Sequence, residues 1–296
     1  MSESKMRVIL LTHGQCEEAL KQLLALNGVT VAGVFVETDT VRRYSTREAL
    51  RRSLKYEGYA ATLKSCVRKL MGRGNSADAA IEAARESGDH LRRIAEAHNV
   101  PVHFVRNFHA AESIALMRAA SADLGVIYGT NIIKESVFKL PRLGSINLHQ
   151  GLAPYYRGGP PVFWELFNGE EEVGITVHFV EAKVDTGEIV LQETVPLRYD
   201  YAHGLDYESF IVEFGRNLRT RSARMVAEAV RLISEGSART RAQDTSLGKR
   251  YRLPTKKEKD ELRRRLRRRR RQSEKLLTTD AGRGFDCARA RGTEDG

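Results

Sequence analysis

The sequence has few cysteines, no long apolar run and, outside one short segment, no excess of charge. Its three cysteines, Cys16, Cys66 and Cys287, lie far apart, with no CxxC pair and no His/Cys cluster. Neither a disulfide framework nor a structural zinc site is encoded, so no metal is expected and a reducing compartment fits. The amino-terminal apolar run Val8 to Leu11 is too short for a secretory segment, and nowhere do about 18 apolar residues follow one another. A soluble, cytoplasmic chain with no membrane partner is the expectation. Gly72-Arg73-Gly74 follows no strand and lacks the Lys-Ser/Thr of a phosphate cradle, so Gly72 to Ser76 reads as a loop.

What is present is a chain of 296 residues with 41% hydrophobic content, enough to bury a full core. The net charge of +11 is concentrated in residues 249–275, which hold 15 Lys and Arg against 4 acids. The preceding 248 residues hold 31 against 30, so the high isoelectric point says nothing about nucleic-acid binding by the body. The run Arg263 to Arg271 reads as a solvated helix, a disordered tail or a polyanion-binding patch, with the solvated reading favoured.

Apolar runs and helical stretches alternate. Met6 to Val36 reads as strand, helix, strand, with His13-Gly14-Gln15 at the end of the first strand. Residues 40–88 are polar and helix-prone, an insertion of two or three helices. Strands are expected at Val100–Val105, Leu124–Tyr128 and Gly144–His149, and a helix at Ala110–Ala120. A Gly/Pro-dense loop, Gln150 to Pro161, and a short helix over 162–168 follow. Gly174–Val180 and Ile189–Val195 then read as strands joined through the turn Asp185-Thr186-Gly187, and Asp206–Glu235 as a long amphipathic helix. His178 reads as packed within its strand and Trp164 as core.

Asn147 and His149 are two apart, so on a strand they share one face, beside which the Pro-rich loop holds a pocket open. An amide, an imidazole and the carboxylate of Asp185, if they converge, can polarise a carbonyl, stabilise an oxyanion and move a proton. Taken singly, each is commonplace in a strand end or a turn.

The string in which they sit is more specific. Leu140-Pro141-Arg142-Leu143-Gly144-Ser145-Ile146-Asn147-Leu148-His149, continued by Gly151 to Pro161, Gly174-Ile175-Thr176-Val177-His178 and Val184-Asp185-Thr186-Gly187-Glu188-Ile189, resembles the hallmark of the folate-dependent formyltransferase family. This family includes methionyl-tRNA, glycinamide ribonucleotide and sugar N-formyltransferases. The resemblance implies an α/β, Rossmann-like fold: a mostly parallel twisted sheet with helices on both faces, here with a helical insertion and a basic carboxy-terminal tail. It implies 10-formyltetrahydrofolate as formyl donor, with Asn147 and His149 polarising the formyl oxygen and Asp185 orienting the imidazole and relaying a proton. The pterin is expected between Tyr128, Gly129, Thr130, Asn131 and Ile132 on one loop and Ala182, Lys183, Val184 and Gly187 on another. The acceptor is expected beside His13, Gly14, Gln15, Tyr155, Tyr156, Arg157, Gly158 and Gly159.

The departures narrow the acceptor. Where many relatives have Ser-Leu-Leu-Pro, this chain has Gly151-Leu152-Ala153-Pro154. The loop after the first strand lacks a Gly/Ser-rich phosphate cradle, which disfavours the ribonucleotide substrate. The residues after about 245 are too few and too basic for a β-rich tRNA-binding domain. The expectation is therefore a catalytic domain over residues 1–255 and a basic, disordered or loosely helical tail over 256–296. That domain would be an N-formyltransferase acting on a primary amine of a small acceptor, a nucleotide-linked amino sugar among the candidates. The alternatives are a 10-formyltetrahydrofolate hydrolase, a methionyl-tRNA formyltransferase-like enzyme, and a non-catalytic protein binding polyanions such as RNA.

Overall fold

The computed structural model describes residues 5–38, 46–59, 63, 88–200 and 206–289. The expected loop at Gly72 to Ser76 and most of the 40–88 insertion lie outside these residues. Strand β1 (Met6–Thr12) carries an unbroken apolar run because both faces of a central parallel strand are covered. Val8 and Leu10 enter one core cluster, while Ile9 and Leu11 enter another on the opposite face. A crossover through helix α1 (Glu17–Leu24) leads to β2 (Val29–Glu37), which pairs parallel to β1. Helix α2 (Thr46–Tyr56) belongs to the expected insertion, and residues 88–96 are also helical.

The alternation resumes with β3 (Val102–Val105), α3 (Ala111–Ala119), β4 (Leu124–Tyr128), α4 (Glu135–Phe138) and β5 (Ser145–His149). After a two-residue strand β6 (Tyr156–Arg157) and helix α5 (Phe163–Asn168) come β7 (Glu172–Phe179) and β8 (Ile189–Pro196), which run antiparallel to their neighbours. The seven-stranded sheet has the order β3-β2-β1-β4-β5-β7-β8. Its parallel part and its helices on both faces are the architecture expected from the sequence. Helix α6 (Tyr207–Ser234) packs along one face, its amino terminus capped by Asp206, whose carboxylate accepts from the backbone N–H groups of Glu208 and Ser209.

The last described segments return to the body. Residues 241–253 form a strap along the Gly/Pro-dense loop. Arg241 bridges to Ile189, and β9 (Lys249–Arg250) pairs with β6. Trp164 Nε1 donates to the Arg252 carbonyl at 2.8 Å, and the Tyr251 ring stacks on Tyr156 with centroids 5.1 Å apart. Helix α7 (Lys256–Arg289) then starts at a capping box: the Glu258 carboxylate accepts from Thr255 N–H at 2.7 Å, and Thr255 Oγ1 faces Glu258 N–H at 3.4 Å.

The stretch expected as a disordered or loosely helical tail forms a helix here, and its first turns are packed. Leu262 is fully buried and Leu266 nearly so, both in the core cluster that holds α6. Lys259 Nζ donates to the Tyr56 carbonyl at 3.1 Å, and Arg265 to the Phe167 carbonyl at 2.9 Å. The physical reason is the spacing of the two leucines, one helical turn apart, which gives the arginine-rich helix one apolar stripe. Leu262→Ala should therefore cost about 2–5 kcal/mol in urea unfolding, as a buried core leucine does. Truncation after residue 255, which removes both leucines, should lower the unfolding midpoint.

Candidate active site

The register of three strands assembles the site. Asn147 on β5 lies opposite Ile127 on β4 and His178 on β7, so their side chains share one face of the sheet. His149 lies two residues on, at the carboxyl end of β5. The segment after β7 folds back over this face and brings Asp185 to both histidines. His149 Nδ1 is 3.6 Å from Asp185 Oδ2, and His178 Nε2 is 3.4 Å from Asp185 Oδ1. The far nitrogen of each ring donates to a backbone carbonyl: His149 Nε2 to Tyr156 at 2.6 Å, and His178 Nδ1 to Phe179 at 2.7 Å. Asn147 Nδ2 is 3.3 Å from His178 Nε2. Gly158 N–H donates to Asp185 Oδ2 at 2.9 Å.

Burial alone would push the Asp185 carboxyl up. The His178 hydrogen bond, the charges of His149 and His178, and the Gly158 N–H outweigh it and hold the group down at about 2. Asp185 sits at a φ of 52°, a left-handed conformation that aspartate tolerates better than most residues. The sequence reading of His178 as merely packed misses half of its role: it is buried, but its ring faces Asp185 and Asn147. The missing signal was the cross-strand register, which a single strand's pattern does not contain.

A cleft of about 340 Å³ opens over these groups. Gly129, Thr130, Asn131, Ile132 and Ile133 form one wall, and Val180, Glu181, Ala182, Lys183, Val184 and Asp185 the other. Ile127, Asn147, Leu148, His149 and His178 form the floor, with Gly158 and Gly159 at the rim. Of the expected pterin contacts, Tyr128 and Gly187 do not line the cleft. Tyr128 is buried in the core at the end of β4. Gly187 lies against the Phe179 carbonyl, where an added Cβ would approach to 1.9 Å.

The expected acceptor residues divide. His13 Nε2 donates to Glu37 Oε2 at 2.8 Å and lies 3.5 Å from the Asn131 backbone nitrogen, which sets the loop after β1 beside one wall of the cleft. Gly14 lies in the same turn, where its N–H meets Thr12 Oγ1, and Gln15 accepts from Arg219. Tyr155 is exposed, while Tyr156 is held by the stack on Tyr251 and by hydrogen bonds to Glu170 and Asn168. Arg157 is turned away and buried. Its guanidinium donates to the carbonyls of Pro154 and Thr245, so it braces the loop against the strap instead of facing the cleft.

The loop from Gln150 to Pro161 is fixed from below. Thr176 Oγ1 donates to the Gly151 carbonyl at 2.7 Å, and Gln192 Nε2 to the Ala153 carbonyl at 2.7 Å. Gly174 lets the loop lie on β7, since a Cβ there would fall 2.3 Å from the Leu152 Cα. At Gly151 an added Cβ would stand 2.5 Å from His149 Nε2 and 2.6 Å from the Tyr156 carbonyl oxygen. The absence of a Cβ at Gly151 therefore leaves room in this chain for the His149 ring to reach Tyr156. Among the described residues no cluster of side chains suits a metal ion, and no helix is long and apolar enough to cross a membrane.

Two outcomes follow from the geometry. Because the folded carboxyl of Asp185 lies below the ordinary value of 3.8, its charge stabilises the fold above that pH, and the contribution is lost as pH falls through about 2. The stability difference between wild type and Asp185→Asn, followed by urea unfolding, should therefore shrink as pH falls from about 5 toward 2. Gly151→Ala should cost about 1–3 kcal/mol by overpacking and should shift the His149 ring resonances in NMR spectra.

The formyl transferase family model matches residues 6–208. The methionyl-tRNA formyltransferase of Chlorobium chlorochromatii (strain CaD3) is 34% identical over 160 residues, covering 54% of this chain and 48% of that protein. The corresponding protein of Azobacteroides pseudotrichonymphae (genomovar. CFP2) is 30% identical over 160 residues, covering 54% and 47%. The chain thus spans about half the length of these curated relatives. Among solved structures, glycinamide ribonucleotide transformylase 1 from Symbiobacterium toebii superposes with a TM-score of 0.50 at 20% identity, covering 81% of this chain and 95% of that one. Phosphoribosylglycinamide formyltransferase from Anaplasma phagocytophilum gives 0.51 at 18%, covering 78% and 88%, and at such identities the likeness is one of fold. With the family model matching more than half of its length, the chain belongs to the formyl transferase family.

Proposed function

We propose that the protein transfers a formyl group from 10-formyltetrahydrofolate to the primary amine of a small acceptor. The observation that carries this reading is the convergence of Asn147, His149 and the ionised Asp185 on one wall-and-floor cleft. The cleft's composition suits a pterin. Ile127, Ile133 and Val180 offer apolar surface to a flat ring, and the backbone of residues 129–132 and 181–184 offers donors and acceptors to its edges. Such a donor supplies an electrophilic carbonyl carbon attached to a nitrogen leaving group.

The chain's own residues then have separate tasks. The Asn147 amide donates a hydrogen bond to the carbonyl oxygen as negative charge develops there. His149, fixed by its bond to Tyr156 and facing Asp185 through Nδ1, lies on the floor of the cleft beside the carbonyl oxygen and helps to polarise it. Asp185 accepts the proton that the attacking amine loses and passes it to the donor's nitrogen as that carbon–nitrogen bond breaks and the carbonyl re-forms, releasing tetrahydrofolate, while the Gly158 N–H and His178 keep its oxygens oriented.

The test is incubation with 10-formyltetrahydrofolate and a panel of amines, including nucleotide-linked amino sugars and charged initiator tRNA, read by mass spectrometry. Formylation of a small amine supports the reading, formylation of tRNA alone replaces the acceptor, and release of formate without any amine product indicates hydrolysis. On the amine that is formylated, Asp185→Asn and Asn147→Ala should each lower turnover by about 100-fold or more, the contribution expected of a proton-transfer or oxyanion group. Binding of a reduced folate should survive both substitutions. Near-wild-type turnover by either variant would refute the proposed roles.

A further inference from the structure

Helix α7 changes chemical character after Glu261. Up to that point every carboxylate is paired with a base: Arg252 with Glu258, Lys256 and Arg263 with Asp260, and Arg264 and Arg265 with Glu261. Beyond it the chain continues through Arg271 without another acid. Among the described residues, Arg267, Arg268 and Arg271 have no carboxylate partner, and all three are exposed. With Arg264 they recur at three- and four-residue spacings and so share one side of the helix. Leu262 and Leu266 occupy the opposite side and are docked in the core.

This stripe is costly where it stands, since like charges at three- and four-residue spacing repel one another. It is also immobilised, because the leucines beneath it fix the helix on the body. We propose that the stripe Arg264–Arg267–Arg268–Arg271 is a binding surface for the phosphate backbone of a nucleic acid. The guanidinium is the side chain suited to bidentate phosphate contact and to stacking on bases. The stripe spans about 10 Å of helix, opposite about three phosphates of a strand. A membrane surface fits less well, because the apolar residues of this stretch are turned into the protein and leave none to insert among lipids. The proposal is independent of the formyl-transfer reading, for none of these arginines lines the cleft.

The experiment uses the full chain and a fluorescein-labelled single-stranded RNA of about 20 nucleotides, followed by anisotropy between about 50 and 200 mM salt. The wild type should bind with an affinity that falls steeply with salt. The triple variant Arg267→Gln, Arg268→Gln, Arg271→Gln should bind at least about tenfold more weakly at low salt. Its slope of log affinity against log salt should be shallower by about 2, the share of three phosphate contacts. Its thermal unfolding should be no lower than that of the wild type, since these side chains are solvated and their mutual repulsion is relieved. Absence of RNA binding, undiminished binding by the triple variant, or tighter association with phosphatidylserine vesicles than with RNA would each overturn the proposal.

Discussion

A carboxylate withdrawn from water between two imidazoles is the constraint on which the site depends. Asp185 is nearly buried, and a buried charge persists only when its partners replace the lost hydration. Those partners come from three places distant in sequence: His149 at the end of β5, His178 on β7, and the backbone of Gly158 in the intervening loop. Each histidine is itself anchored by a backbone carbonyl. Displacing any one support moves a ring or a carboxylate oxygen, so loop, register and charge are specified together.

The rest of the fold serves this convergence. The central strands give a floor whose apolar residues are shared by two core clusters, and antiparallel β7 delivers His178 opposite Asn147. Thr176 and Gln192 hold the loop from beneath, while the strap of residues 241–253 holds it from outside. Gln243 also donates to the Gly187 carbonyl, at the far end of the turn that carries Asp185. The strap thereby links both halves of the site, and α7 extends the same anchoring through Leu262 and Leu266.

Much of this was legible in the sequence, for physical reasons. Strands buried on both faces read as continuous apolar runs, and a two-residue spacing puts Asn147 and His149 on one face wherever a strand forms. The docking of Leu262 and Leu266 was less legible, since two leucines on an arginine-rich helix do not say which surface they meet. Other features depend on long-range neighbours that no local pattern encodes. The position of His178 is a fact of cross-strand register. Arg157 resembles a residue at the acceptor, yet its guanidinium bonds to carbonyls contributed by the loop and by Thr245, 88 residues away. The strap has neither helical nor strand periodicity, since its contacts run through backbone groups and stacked rings.

The central claim is that one cleft brings a formyl donor to Asn147, His149 and Asp185. A crystal structure with 5-formyltetrahydrofolate, a stable isomer of the donor, tests it most directly. The account predicts the pterin between residues 129–133 and 181–185, with the formyl-bearing edge within hydrogen-bonding distance of Asn147 and His149. A pterin bound elsewhere, or one seated in the cleft with its formyl-bearing edge directed away from those two side chains, would contradict it.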